Sequence, residues 1–483
     1  MEYKPTIGLE IHIELKTKTK MFCSCLNDPV VPTRVGIPTE VGKKEPNLNI
    51  CPVCTAQPGS LPVINQEAVR AVIKTGLALN CKINEKTWFE RKNYFYPDLP
   101  KGYQISQYEA PICSNGKLNG ISIRRIHLEE DTGRLIHDQG DESLVDYNRA
   151  GVPLMELVTE PEIFSAEQAK KFAQDLQLIL RYLEISDADM EKGQLRVEVN
   201  ISLNMGTKVE VKNLNSFRSV EKAIEYEIER QGEILKEGKE IIHETRGWND
   251  TKQETFSQRI KETSDDYRYF SEPDLPSLNI LKEEIEKLQS EIPEMPQARI
   301  ERFIKEYKLP KDSVEVLVGF KYLGDFFEQT TSELQAWFEA GKIKTDLESL
   351  IKLTANYINT EFPKFVPTTG EVKITAENFA ELIYLTFIGE ISSSGAQEAL
   401  KEMFRTGGDP SQIIESKNLK QVSDAGELEE IIEKVIKNNP AGVKDYKKGK
   451  ETALQFLIGQ AMKESKGKAN PGIVGKIIKK KLG

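Results

Sequence analysis

The segment Thr6–Lys16, TIGLEIHIELK, carries Glu10 and His12 two positions apart. On an extended strand such residues leave the same face about 7 Å apart. A carboxylate and an imidazole at that spacing can share one divalent cation, or serve as a base and its orienter. On their own they would equally suit a solvated strand face. Carboxylates recur in similar settings further on. ISIRRIHLEEDTGR places His127 and Glu129 on one strand face, with Glu130 and Asp131 in the turn that follows. The apolar run VPLMELV encloses Glu156, and a carboxylate there is costly unless an arginine or a metal compensates it.

Cysteines supply a second constellation. Cys23 and Cys25 form C-x-C, and Cys51 and Cys54 form C-x-x-C after 25 intervening residues. Two knuckles of this kind suit tetrahedral Zn²⁺, and four thiolates leave no open position for catalysis. Cys81 and Cys113 stand alone and are expected as buried thiols. A hairpin, GQLRVEVNISL and TKVEVKNLNSF, sets Arg196, Glu198, Asn200 and Ser202 opposite Lys208, Glu210 and Lys212. That lattice could hold a Mg²⁺-nucleotide or form a cross-strand salt-bridge ladder. RKNYFYPDLPKGYQISQYEAP mixes four tyrosines with cations, a composition that can stack on bases or pin an irregular loop to a core. SDDYRYFSEPDLP is a second loop of that type.

These groups need rigid carriers, and the patterns supply them. Ile7, Leu9, Ile11, Ile13 and Leu15 alternate, which predicts a half-buried strand with Glu10 and His12 on its polar face. Val197, Val199, Ile201 and Leu203 do the same for the hairpin. Ser165–Glu184 reads as a helix capped by Ser165 and Gln168, with Phe172, Leu176, Ile179, Leu180 and Leu183 as its apolar stripe. Pro293 and Pro296 mark one boundary and Gly407–Pro410 another. The expected fold class is α+β. A sheet-rich domain over 1–293 carries the zinc lobe at about 20–56, and is followed by a helical domain over 294–405 and a helical basic tail over 406–483.

Composition bounds the function. No apolar run is long enough to span a bilayer, and MEYKPTIGLE lacks the features of a signal peptide, so the reading is cytoplasmic. Residues 441–483 hold eleven lysines against three acids, leaving −18 on the other 440 residues of a chain of net charge −10. A basic tail on an acidic body suits either a nucleic-acid appendage or a solvated helix face. The sequence has no phosphate loop of the G-x-x-x-x-G-K-S/T type, no G-x-S-x-G elbow and no G-x-G-x-x-G. Its four histidines suit no Ser-His-Asp hydrolase.

Taken together, IGLEIHIELKTKTKMF, CPVC, RKNYFYPDLPKGYQISQ, HLEEDTGR, NRAGVPLMELVTEP, KNLNSFRSVEKAIEYEIERQ, ETRGW, SDDYRYF and FLIGQAMKESKGKANP resemble, from end to end, the B subunits of the tRNA-dependent aspartyl/glutamyl amidotransferases. The resemblance implies a cytoplasmic heterotrimer with a glutaminase A subunit and a small C subunit, with no membrane or DNA partner, and makes the domain over 1–293 a cradle-like catalytic domain and the tail a tRNA-binding one. It implies that this chain binds mischarged Glu-tRNA(Gln) or Asp-tRNA(Asn), phosphorylates the aminoacyl carboxylate with ATP, and lets ammonia displace the phosphate. By the same resemblance Glu10, His12, Glu129 or Glu130, and Glu156 would hold Mg²⁺. Arg196, Glu198, Asn200, Lys212, Asn213, Asn215 and Arg268 would meet the nucleotide. Tyr94, Tyr96, Tyr103 and Gln104 would meet the tRNA 3′ end, and basic helices with Lys447, Lys448, Lys466 and Lys468 would grip tRNA phosphates. Glu198 stands where the family usually has Asp, and Ser271 where it usually has Pro.

Overall fold

The computed structural model describes residues 3–27, 45–139, 142–260, 267–365, 373–421, 425–465 and 468–483. The chain divides into two compact units, Met1–Met295 and Pro296–Gly483.

The first unit runs β1 (Pro5–Glu14), α1 (Gln66–Ala78), β2 (Lys82–Ile83), β3 (Lys86–Thr87), β4 (Glu90–Asn93), β5 (Tyr103–Ser106), β6 (Cys113–Leu118) and β7 (Ile121–Glu130). The hairpin β8 (Arg134–Gln139) and β9 (Glu142–Asp146) follows, then β10 (Pro153–Thr159), α2 (Ala166–Tyr182), β11 (Leu195–Leu203), β12 (Val209–Leu214) and α3 (Phe217–Lys236). It closes with β13 (Glu244–Asn249), β14 (Glu254–Ile260), β15 (Phe270–Ser271), β16 (Leu278–Asn279) and α4 (Lys282–Ser290). Nine strands make one sheet in the order β14-β13-β12-β11-β1-β10-β7-β6-β2. Its pairs are antiparallel except β12 with β13. This is the α+β architecture expected from the sequence.

β1 lies at the centre of that sheet, as its alternation demands. Ile7, Leu9, Ile11 and Ile13 are at most 1% exposed and join the core that α2 and α3 close with Phe172, Leu176, Val220 and Ile224. Each such side chain contributes about 2 kcal/mol through burial, so a one-residue slip that turned this face outward is heavily penalised. Register is therefore fixed, and with it the opposite, polar face. The helix starts are chemically specified. Ser165 Oγ accepts from Gln168 N (3.1 Å), while Gln168 Oε1 accepts from Phe164 N (2.9 Å). Phe164 itself stays exposed. Ser216 caps α3 through Ser219 N.

The second unit is helical throughout its described residues. Pro410–Ser416 packs on Ala376–Phe387 and Ser393–Thr406. Leu428, Ile432, Leu457, Val474 and Ile478 form a separate core among the last four helices.

Candidate active site and cysteine centre

Antiparallel pairing aligns polar residues into rows across the sheet. Arg196, His12, Glu156 and His127 lie side by side on β11, β1, β10 and β7. One row along, Glu198 faces Glu10. One row the other way, Glu129 lies on the same face of β7 as His127. His12 Nε2 is 3.5 Å from Glu156 Oε2, 3.7 Å from Glu129 Oε1 and 3.8 Å from Glu10 Oε1. His127 Nε2 is 3.6 Å from Glu156 and 3.8 Å from Glu129. Its Nδ1 is buried with no hydrogen-bond partner among the described residues.

Crowded carboxylates perturb one another. Glu10 is pushed up to about 7 by burial and by the charges of Glu156 and Glu198. Burial alone would lower His12, yet the pairing with Glu156 and the charges of Glu198 and Glu129 raise it to about 9. Burial would likewise raise Glu156, but His127, His12 and Lys92 hold it well below the usual carboxylate range. The imidazolium thus neutralises a cluster built for positive charge. Donor atoms of Glu10, His12 and Glu156, of His127, Glu129 and Glu156, and of Glu10, Glu198 and Glu210 each lie within 4.8 Å of one another. Overlapping carboxylate sets, two of them completed by an imidazole nitrogen, could hold a divalent cation.

The cluster opens into a cleft of about 790 Å³. One wall is aromatic. Tyr108 stacks on Tyr269 (4.7 Å), which meets Tyr267 edge-on (6.2 Å), which meets Tyr94 (5.8 Å). Lys92 lies over Tyr267 (5.0 Å) and Arg125 over Tyr108 (5.2 Å). Toward the β11–β12 hairpin, Lys212 Nζ is 2.7 Å from Glu198 and 3.9 Å from Glu210. Asn200 Oδ1 there is buried without a partner among the described residues.

Glu10, His12, Glu129, Glu156, Glu198, Asn200 and Lys212 are therefore brought together. Others of the expected residues are not. Glu130 faces away from Glu129, where its carboxylate pairs with Lys101 (2.7 Å) and accepts from Ile105 N (3.0 Å). Arg196 turns to Asp131 (2.8 Å), which Arg149 also approaches (3.5 Å). Gln104 is buried and donates to the Glu130 carbonyl (2.8 Å). Tyr103 lies beneath the Arg91 guanidinium (4.3 Å), Tyr94 Oη is 3.5 Å from Gln104, and Tyr96 is exposed. Asn213 donates to the Trp248 carbonyl (3.1 Å) from a left-handed backbone. Asn215 and Arg268 are exposed. In the second unit Lys447 and Lys448 are exposed and Lys468 is half-buried, while Lys466 lies outside the described residues. Lys92, Arg125, Tyr108, Tyr267 and Tyr269 were not singled out from sequence. Arg125 carried a signal, being two positions before His127 on the same face.

The cysteine knuckles meet as the spacing requires. Sulfurs of Cys23, Cys25, Cys51 and Cys54 lie within 4.8 Å of one another, and Cys51 Sγ and Cys54 Sγ are 3.8 Å apart. Tetrahedral Zn–S bonds of about 2.3 Å place sulfurs about 3.8 Å apart, so the donor set fits a metal such as zinc. Cys81 and Cys113 are buried elsewhere, and burial pushes the Cys81 thiol up to about 12.

Comparison with known proteins agrees with this geometry. The family model described as GatB/GatE catalytic domain matches residues 5–286, and that described as GatB domain matches residues 335–482. The B subunit of the aspartyl/glutamyl-tRNA(Asn/Gln) amidotransferase of Thermoanaerobacter pseudethanolicus is 46% identical over 500 residues, covering all of both chains. The protein of the same name from Persephonella marina is 47% identical over 500 residues, with the same coverage. The one from Thermotoga maritima is 45% identical over 508 residues, covering all of this chain and 99% of its own. With the carboxylate rows, the cysteine centre and the tail all in place along a full-length match, the chain belongs to the family of aspartyl/glutamyl-tRNA(Asn/Gln) amidotransferase B subunits.

Proposed function

We propose that this chain activates and amidates mischarged Glu-tRNA(Gln) or Asp-tRNA(Asn), together with a glutaminase A subunit and a small C subunit, in the cytoplasm. The observation that carries this reading is the convergence of Glu10, His12, Glu129 and Glu156 beside a cleft lined by Glu10 and Glu156 together with Lys92, Arg125 and Lys212. Among the described residues no helix is long and apolar enough to cross a membrane.

Bound Mg²⁺ and ATP would supply the phosphoryl group and the positive charge that its transfer to a carboxylate needs. Glu10, His12, Glu129 and Glu156 would hold the cation. Lys92 and Arg125 would orient anionic groups of the substrate beside it. The tyrosine wall would exclude water from the activated acyl phosphate, and ammonia would then displace phosphate from it to leave the amide. Glu198, Asn200 and Lys212 would hold the nucleotide, with Arg196 acting through Asp131. Asn213, Asn215 and Arg268 are candidates for its outer contacts. Tyr94, Tyr96 and Tyr103 would meet the tRNA 3′ end, with Gln104 and Glu130 supporting them from behind. Lys447, Lys448 and Lys468 would bind phosphates of the tRNA body. The cysteine centre would hold Zn²⁺ structurally.

The test supplies free ammonia, ATP, Mg²⁺ and labelled mischarged tRNA to the assembled complex, so that the glutaminase is bypassed. Glu156→Gln should lower amide formation about 10³-fold, the loss of several kcal/mol of charge stabilisation, while tRNA binding persists. Unchanged turnover in that variant would move the chemistry to another chain of the complex and leave this one as the tRNA holder.

A further inference from the structure

Lys20 is 1% exposed. Lysine is almost never fully buried unless paired, because an isolated ammonium loses several kcal/mol of hydration. Yet no carboxylate pairs with Lys20 among the described residues. Its Nζ donates to the Asn49 carbonyl (2.8 Å) and approaches Cys54 Sγ (3.8 Å). The same residue closes the other knuckle through its backbone, Lys20 N donating to Cys25 O (2.9 Å). Its aliphatic stem runs over Gly151, where an added Cβ would come within 3.6 Å of Lys20 Cδ and 3.5 Å of Cys54 Cβ. Gly151 has φ +85° and its carbonyl accepts from Met21 N (2.7 Å). The stem is thus seated over Gly151 and the ammonium is held by the Asn49 carbonyl and aimed at one sulfur.

Four thiolates around a divalent ion leave a net charge of −2 in a half-buried lobe. That surplus is a counter-charge that no carboxylate among the described residues gives Lys20. We propose that Lys20 is the positioning residue of the cysteine centre, its ammonium neutralising the metal–thiolate group through Cys54 and locking the second knuckle onto the first. The proposal rests on the zinc reading above, and goes beyond it by assigning metal retention to a residue that is not a ligand. Outer partners of this kind typically change metal affinity about 10- to 100-fold when removed.

The experiment uses the full-length chain loaded with zinc. Metal content is measured first, then release into excess chromophoric chelator, for the native chain, Lys20→Met and Lys20→Arg. Methionine keeps the unbranched stem and removes the charge, so release should accelerate at least 10-fold. Arginine keeps the charge and should stay within a few-fold of native. In Co²⁺-substituted protein the thiolate-to-metal charge-transfer band should shift in Lys20→Met, which a residue that merely pins the Asn49 carbonyl would not cause. A native chain holding one zinc, with release and band unchanged in Lys20→Met, overturns the role of Lys20 alone. Equal acceleration in Lys20→Arg overturns the charge argument. A native chain that retains no zinc overturns the zinc reading and this inference with it.

Discussion

Metal binding at the carboxylate cluster should displace a proton, and the structure sets the size of the effect. Without a cation His12 is raised to about 9, so at neutral pH its imidazole is charged. A ligand imidazole must be neutral, so each Mg²⁺ that binds through His12 expels one proton. The apparent affinity should then rise on the order of 50-fold between pH 7 and pH 9 and level off above. Below pH 7 the slope should steepen, because Glu10, pushed up to about 7, must also ionise. The folded state binds more protons than the unfolded one over this range, since both groups are raised. Metal-free stability should therefore fall as pH rises, for His12 between its ordinary 6.5 and about 9. A shift of that size corresponds to ~3 kcal/mol lost across the window, which Mg²⁺ should restore. Calorimetric titration of Mg²⁺ at pH 7, 8 and 9, in buffers of different ionisation enthalpy, counts the protons directly. His12→Gln should flatten the profile above pH 7. An affinity independent of pH between 7 and 9 in the native chain would show that His12 stays protonated and that the carboxylates alone hold the ion.

Two further tests address what supports the site and what reaches the tRNA. Arg196→Met leaves the more distant Arg149 as the cation beside Asp131, 4% exposed, among the described residues, and should cost about 3 kcal/mol, read as a lower denaturant midpoint for the first unit. Replacing Lys447 and Lys448 by Gln should weaken tRNA binding without changing amide formation at saturating tRNA. Its log–log salt slope should fall by about 2, and an unchanged slope would remove these lysines from the contact.

Alternation made the faces of the strands legible, and no more than the faces. It placed Glu10 with His12 and His127 with Glu129, because one side of β1 and β7 had to be apolar. The same period, applied strictly, separates Glu129 from Glu130, and the Lys101 pair on the far side bears this out. What alternation cannot supply is cross-strand register, which brings His12 level with Glu156 and His127 from residues more than a hundred positions apart. Nor does it choose a partner for a long side chain. Arg196 has the expected face, yet it reaches Asp131 because a buried carboxylate there offers a stronger counter-charge than the open cleft. The aromatic wall was least visible. Its two loops are far apart in sequence and are brought together by the pairing of Phe270 with Arg91, an alignment secured by the bidentate hold of Arg91 on buried Glu272.

The placement of the cluster on β1 follows from energetics as much as from chemistry. Glu10, Glu129 and Glu156 repel one another in a half-desolvated cleft, and the raised Glu10 and His12 are the visible cost. A sheet edge or a loop could relax by letting one carboxylate swing to water. β1 cannot, because it is hydrogen-bonded to β10 and β11 on either side and its other face is sealed by the core. The carboxylates are therefore held close until something positive arrives, and a divalent cation that replaces the proton on His12 relieves repulsion that the fold has already imposed. Preorganisation of this kind puts the cost into folding, where the apolar face of β1 offsets it, and leaves the binding step with little to rearrange.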